Sequence, residues 1–454
     1  MPHLHVSLQR NVAPRVALAT ALTAVLTLSA CSTTSTPNNA APQHMAQMCA
    51  QVMACAPVAA PAPLVCPAVA ACPIVTATAP AVSIQPPLIA EPPRGSLVAT
   101  QFAALPDWSN DNPTDALTAF IQGCATLNAQ AAWVDVCAAA PQSTNNANSA
   151  RQFFESRFTP YRVVNADNSE TGLVTGYYEP LLRGSRKKTA QYPYPIYAVP
   201  QDLLTVDMAD MYPDLKFKRL RGRIVSTQAG SKVVPYFDRA EIESERQPLR
   251  GLEIVFVDDA VELFFLQIQG SGQVQLEDGS KVRVGYADQN GHAFRSLGGA
   301  LIRRGEIKAE RASMQGIKEW ARRNPKKLPE FMNLNPSYIF FKELPNTESG
   351  PIGTLGVPLT AERSIAVDQR VVPLGVPVFL ATTYPNTKQN LNRLMVAQDT
   401  GGAINGGVRA DFYWGFGDAA GAQAGKMKQQ GRMWVLLPRG YDPASAAATP
   451  TRSQ

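Results

Sequence analysis

The side chains best suited to chemistry in this chain are aspartates placed beside glycine turns and aromatic runs. Asp399 opens the segment Asp399-Thr400-Gly401-Gly402-Ala403-Ile404. Asp411 follows in Asp411-Phe412-Tyr413-Trp414-Gly415. An acid leaving a strand into a Gly-Gly turn lets backbone approach a ligand closely. Next to aromatics, the Asp411 carboxyl can be desolvated and its pKa raised, while ring faces can stack on sugars. A third acid, Asp368, precedes the turn Val372-Pro373-Leu374-Gly375. The plainer roles for the same residues are turn bonding by Asp368 and Asp399 and core filling by the aromatics.

Counting removes most other chemistries. Of four histidines, His3 and His5 lie in the leader and His44 in an Ala/Pro-rich stretch, leaving His292 in the folded part. Counting thus nearly excludes a Ser-His-Asp triad or a multi-histidine metal site, and His292 reads as a turn residue bonding backbone. There is no Walker loop, and Gly270-Ser271-Gly272 lacks the rest of a dinucleotide fingerprint. Cys124 and Cys137 lie next to apolar residues, which suits a disulfide or two buried thiols better than a nucleophile. The net charge of +6 is spread out with no basic stripe, so nucleic acid is not an expected partner. No cofactor and no metal are expected. Carboxylates, amides and aromatics remain, which is a toolkit for polysaccharide.

These residues need elements to hold them. Apolar spacing predicts helices over 112–127 and 149–157 and a helical pair over 299–324. Strands are predicted over 173–178, 252–257, 261–268, 282–286, 339–341, 376–381, 394–397 and 433–437. Many short β-branched runs between Pro- and Gly-containing turns make the protein mainly β, with a few helices.

The first ninety-odd residues belong to a different regime. Arg10 and Arg15 precede a short apolar run over 16–30, and Leu28-Ser29-Ala30-Cys31 resembles a bacterial lipobox. Residues 1–30 are thus expected to be a lipoprotein signal peptide, with lipid on Cys31. Ser32 suggests onward transport to the outer membrane. From Val16 to Ala90 there is no Lys, Arg, Asp or Glu, so 31–95 reads as a flexible Ala/Pro-rich leash. Its cysteines, Cys49, Cys55, Cys66 and Cys72, suit disulfides in an oxidising compartment. Residues 441–454 read as a disordered tail.

Several ordered stretches carry a family resemblance. They are Gly176-Tyr177-Tyr178-Glu179-Pro180, FLQIQGSG over 265–272 and VGYADQNGHAFRSLG over 284–298. Ser313-Met314-Gln315, Asn335-Pro336-Ser337-Tyr338, Phe340-Phe341-Lys342 and Gly431-Arg432-Met433-Trp434 continue the series. With the three aspartates, which look like the "3D" pattern, the region from about 100 to 438 resembles the membrane-bound lytic murein transglycosylase A family. One departure is that 405–410, ahead of Asp411, is a residue longer than in some versions of the family.

The resemblance implies a double-psi β-barrel domain built from 96–180 and 336–440, with a second β-rich domain inserted over 181–335. It implies cleavage of the β-1,4 bond between N-acetylmuramic acid and N-acetylglucosamine, leaving 1,6-anhydro ends. Asp411 would act as acid and then base, Asp399 as electrostatic support and Asp368 as an orienting group. Substrate contacts would come from Tyr177, Tyr178, Gln269, Ser271, Asn290, Lys342, Gly401, Gly402 and Trp414, while Glu179 stays outside the catalytic set. The expected partners are peptidoglycan strands, the membrane through the lipid on Cys31, and other cell-wall enzymes. A hydrolase using Asp411 and Asp399 with water, or a non-catalytic peptidoglycan-binding lipoprotein, are the rival functions.

Overall fold

Helical spacing of apolar residues builds the first layer. After β1 (Gly95–Ala99), α1 (Thr114–Leu127) buries Leu117, Phe120, Cys124 and Leu127 along one stripe. α2 (Ala131–Ala139) and α3 (Ala147–Arg157) fold against it, and Phe120 meets the rings of Trp133, Phe153, Phe154 and Phe158. Cys124 and Cys137 are joined as a disulfide that ties α1 to α2. The two helices predicted here are present. α2 was not anticipated, because its exposed positions Ala131, Ala132 and Val134 are as apolar as its buried ones.

The structure, a computed structural model, describes residues 94–443 apart from 145, 213–214, 216–217 and 347–349. The lipidation at Cys31, the leash with its cysteines and the tail from 444 lie outside the described residues.

Strands β2 (Phe158–Asn165) and β3 (Gly172–Glu179) follow the helices. β4 (Leu181–Ser185), β5 (Tyr194–Tyr197), β6 (Leu204–Thr205), β7 (Arg221–Thr227) and β8 (Gly230–Pro235) come next. Then come α4 (Arg239–Ile242), β9 (Glu253–Val257), α5 (Ala260–Gln269), β10 (Ser271–Leu276) and β11 (Lys281–Gln289). α6 (Leu297–Arg303), α7 (Met314–Arg323), α8 (Leu328–Met332) and β12 (Ile339–Leu344) close this stretch. The last part holds β13 (Ser364–Val367), β14 (Pro377–Thr383), β15 (Asn390–Asp399), β16 (Ala410–Phe416), α9 (Gly417–Ala424) and β17 (Lys428–Pro438).

α5 corrects a predicted strand over 261–268. Asp259 caps it by accepting from Val261 and Glu262 amides, and Gly270 ends it at φ +80°. Its apolar residues face two cores: Leu263 and Leu266 pack on the second sheet, Val261, Phe264 and Phe265 on α6–α8. A helix buried on two sides shows no polar stripe, so its sequence passes for a buried strand.

Strands from both ends of the described chain share one sheet, in the order β1-β2-β17-β14-β15-β13-β16-β3. A second sheet runs β12-β11-β10-β4-β9-β5, and β6-β7-β8 form a third. Mainly β is therefore what the structure shows. β1 is an edge strand bonded to β2, so the first sheet as a whole does not close on itself. β17 is long enough to pair with β2, β14 and, through Lys428 to Gly431, also with β3.

Candidate active site

Register across four strands assembles the site. Asp399 on β15 lies opposite Ala366 on β13, Ala366 opposite Asp411 on β16, and Asp411 opposite Thr175 on β3. Directly opposed residues share a face, so one row carries both aspartates with an alanine between them. Two strand spacings put their Cα atoms about 10 Å apart. A bulge creates this row. Ile365 pairs with Ala397 but Ala366 pairs with Asp399, leaving Gln398 as the extra residue. Without it Asp399 would fall opposite Val367 and face the other way. The bulged Gln398 is itself buried, donating to the Ala119 carbonyl at 2.9 Å and accepting from Ser364.

Alternation extends the face to Tyr177 and Tyr413, two residues beyond Thr175 and Asp411, with ring centroids 5.2 Å apart. Asp399 Oδ1 accepts from the Thr354 amide at 3.0 Å, the Thr354 hydroxyl at 2.7 Å and the Thr400 amide at 2.9 Å. Its Oδ2 accepts from the Tyr177 hydroxyl at 3.2 Å. Burial raises the Asp399 pKa, and these donors oppose the rise by stabilising the carboxylate. Asp411 Oδ1 accepts from Thr175 Oγ1 at 2.6 Å. Burial pushes the Asp411 carboxyl up to about 6; Thr175 and Arg409 hold it down and the Asp399 charge adds to the rise. Two acids on one face thus differ in environment: one is clamped by donors, the other is poised to hold or release a proton near neutrality.

Asp368 has a different place. It lies just past β13, buried, with both oxygens 2.7 Å from the Arg370 guanidinium and Oδ2 2.8 Å from the Gly406 amide. Burial alone would raise its pKa, but Arg370 and the amides hold it below the ordinary carboxylate value. Arg370 also donates to Asn405 Oδ1 at 2.7 Å. Asn405 in turn donates to the Gly402 carbonyl at 3.1 Å, so Asp368 braces the turn containing Gly401 and Gly402 through Arg370 and Asn405.

The other residues singled out from sequence divide into groups. Tyr177, Gly401 and Gly402 adjoin the aspartates. Tyr178 and Trp414 point to the opposite side, into the main core, where Tyr178 lies on Met314 and Gly421 and the Trp414 indole donates to Met427 Sδ at 3.3 Å. Gln269 Oε1 accepts from the Tyr178 amide at 3.0 Å, tying α5 to β3. Asn290 is buried, donating to the Phe237 and Pro336 carbonyls and accepting from the Tyr338 amide. It holds backbone together instead of facing a groove. His292 likewise contacts the Tyr236 carbonyl at 2.8 Å. Ser271 and Lys342 flank Gly285 on one face of the second sheet.

Two residues along, the same face carries Gln273 and Arg283 into a cavity of about 570 Å³. Glu179, Lys281, Leu359, Tyr413 and Phe416 also line it. Its lining does not include Asp399 or Asp411, but it shares Tyr413 and Leu359 with the cluster that holds Tyr177 and Ala366. Glu179 is buried with Arg283 Nε 3.0 Å from Oε1, and burial raises its pKa against that cation. The residues that sequence did not single out are Thr175, Thr354, Arg370, Arg409 and the site-facing role of Tyr413. Period-two alternation from Asp411 and Tyr177 points to Tyr413 and Thr175; nothing local points to Thr354.

Two family models match: the MltA specific insert domain over residues 173–342 and the 3D domain over 363–437. Membrane-bound lytic murein transglycosylase A of Escherichia coli K12 is 32% identical over 283 residues, covering 61% of this chain and 68% of that protein. The chain belongs to the membrane-bound lytic murein transglycosylase A family. Its fold is similar to the crystal structure of MltA from Neisseria gonorrhoeae, at 38% identity and a TM-score of 0.66, covering 78% of this chain and 95% of that one. It is also similar to E. coli MltA with bound chitohexaose, at 27% identity and a TM-score of 0.57, covering 77% and 95%. Both family models bear on the site: Thr175 and Tyr177 fall in the first, and the three aspartates in the second.

Proposed function

We propose that this peptidoglycan lytic transglycosylase cleaves the β-1,4 bond between N-acetylmuramic acid and N-acetylglucosamine and leaves 1,6-anhydro ends, with Asp411 as the acid and base. The observation that carries this reading is a half-buried carboxyl pushed up to about 6, one alanine away from a second, donor-clamped carboxylate. A hydrolytic glycosidase needs two carboxyls, one as acid and one as nucleophile or base. Here the muramic acid C6 hydroxyl is the nucleophile. Asp411 protonates the leaving O4 as the C1–O4 bond breaks. The resulting carboxylate takes the C6 hydroxyl proton as the C1–O6 bond forms, and the acid is restored. Asp399 stabilises the positive charge developing at C1, and Tyr177 holds Asp399 in place. Asp368 acts through Arg370 on the Gly401–Gly402 turn.

Substrate contacts beyond the carboxylates are proposed at Gly401, Gly402, Ser271 and Lys342. A glycan substrate is consistent with the chitohexaose bound by the E. coli relative. The return pairing of β17 on β3 supports the double-psi reading of 96–180 and 336–440, with 181–335 as the insertion. The chain is proposed to work on the periplasmic side of the outer membrane, anchored by lipid on Cys31 and meeting other cell-wall enzymes there.

The test is digestion of purified peptidoglycan by the full-length protein. Muropeptides lighter by one water than hydrolytic products are expected in the mass spectrum. Reducing ends would instead establish a hydrolase, and intact sacculi that retain protein would establish a binding module. Asp411→Asn is expected to abolish cleavage while sacculus binding persists.

A further inference from the structure

The immediate support of Asp411 consists of two residues that no family pattern above assigns. Thr175 Oγ1 lies 2.6 Å from Asp411 Oδ1 and 3.0 Å from Arg409 Nη2. A guanidinium has donors and no acceptor, so the Thr175 oxygen must accept from Arg409. The single hydroxyl hydrogen of Thr175 is then directed at Asp411 Oδ1. Arg409 cannot swing away easily, because its Nη1 is held by the carbonyls of Leu173 and Ala410. The chain Arg409 to Thr175 to Asp411 therefore runs in one direction, whatever the charge on Asp411.

We propose that Thr175, oriented by Arg409, is a positioning residue that reserves Oδ2 of Asp411 for the transferred proton. Oδ1 always receives a hydrogen, so in the neutral acid the proton resides on Oδ2. Among the described residues Oδ2 accepts no hydrogen bond, which leaves it for substrate. In the first half of the reaction the proton leaves Oδ2 for the glycosidic O4. In the second half Oδ2 receives the C6 hydroxyl proton, so one oxygen serves both transfers without the carboxyl turning over. Thr175 also stabilises the carboxylate form, so it helps set the pH at which Asp411 changes state. This inference rests on Asp411 being the acid and base.

The groups facing Asp411 are Arg409 from the turn before β16, Asp399 from β15, Tyr177 from β3 and Tyr413 from β16 itself. Thr175→Val keeps the shape of the side chain and removes its hydroxyl, while Arg409 stays held through Nη1 by the Leu173 and Ala410 carbonyls. Its kcat/KM on soluble glycan fragments is measured against pH. The alkaline limb, where the Asp411 proton is lost, is expected to move up by about one unit, since a donor to the charged form is gone. The optimum kcat/KM is expected to fall about tenfold. Thr175→Ser should restore both. A merely structural Thr175 would lower thermal stability and activity alike at every pH without moving the limb, and that result overturns the proposal. Should the valine form fail to fold, Thr175→Ala is read in the same way. Asp411→Asn measured in parallel separates the two ideas. If it stays active, the acid and base assignment falls; if it is dead and the Thr175 limb does not move, this inference alone falls.

Discussion

At the scale of single residues, burying Asp411 has a cost that should be visible in stability. Its carboxyl ordinarily titrates near 3.8 and here near 6, so at neutral pH the fold carries a carboxylate it would prefer to protonate. The penalty is full above about 6 and absent below 3.8, where folded and unfolded chains are both protonated. Asp411→Asn is therefore expected to stabilise the protein by about 2–3 kcal/mol at pH 7 and to lose that advantage near pH 4. Urea unfolding at the two pH values checks it, and equal gains at both would refute it. The acids themselves were legible, since an aspartate before Gly-Gly and an aspartate before aromatics are unusual local patterns. Of the aromatics singled out from sequence, Tyr177 lies at the site, while Tyr178 and Trp414 lie in the main core. Tyr413 shares the Asp411 face and Trp414 points into the core, because residues one apart on a strand face opposite ways. Thr354 could not have been found, because its bond to Asp399 spans 45 residues of chain.

At the scale of elements, α5 shows where sequence periodicity fails and what replaces it. Its interior reads as a strand, yet its ends are marked by Asp259 and by Gly270 in the left-handed region. Those punctuation residues carried the information that the apolar run did not. Asp259→Ala and Gly270→Ala are each expected to cost about 1 kcal/mol, the first through lost capping and the second through strain at positive φ. Urea midpoints measure both. If α5 matters to the site mainly by holding β3 through Gln269 and the Tyr178 amide, these variants will keep their catalytic pH profile while unfolding sooner. The bulge at Gln398 is the opposite case. No local residue pattern announces it, because it exists only relative to the pairing of β15 with β13.

At the scale of the whole molecule, the broad class was legible from many short β-branched runs, and the family from ordered motifs. The sharing of one sheet by β1–β3 and β13–β17 was implied only through the family, since nothing in the spacing brings residue 175 to residue 411. The helical layer against that sheet is fastened by the Cys124–Cys137 bond, which closes a short loop. Opening it is expected to cost about 3 kcal/mol, read as a lower urea midpoint in reductant and matched by Cys124→Ser. An unchanged midpoint would mean that helix packing alone holds the layer. A buried Arg363–Asp111 pair fastens the same region to β15, with Arg363 also donating to the Leu394 carbonyl.

The long separation between β3 and its neighbours has a consequence for the timing of manufacture. Residue 179 ends β3, but β16 and β17 end only at residues 416 and 438. At about 5–20 residues per second, β3 waits roughly 15–50 s for them. Throughout that interval its edges are open to mispairing, and a holding chaperone has a clear target. The row that carries Asp399, Asp411 and Thr175 is thus incomplete until β16 has been made.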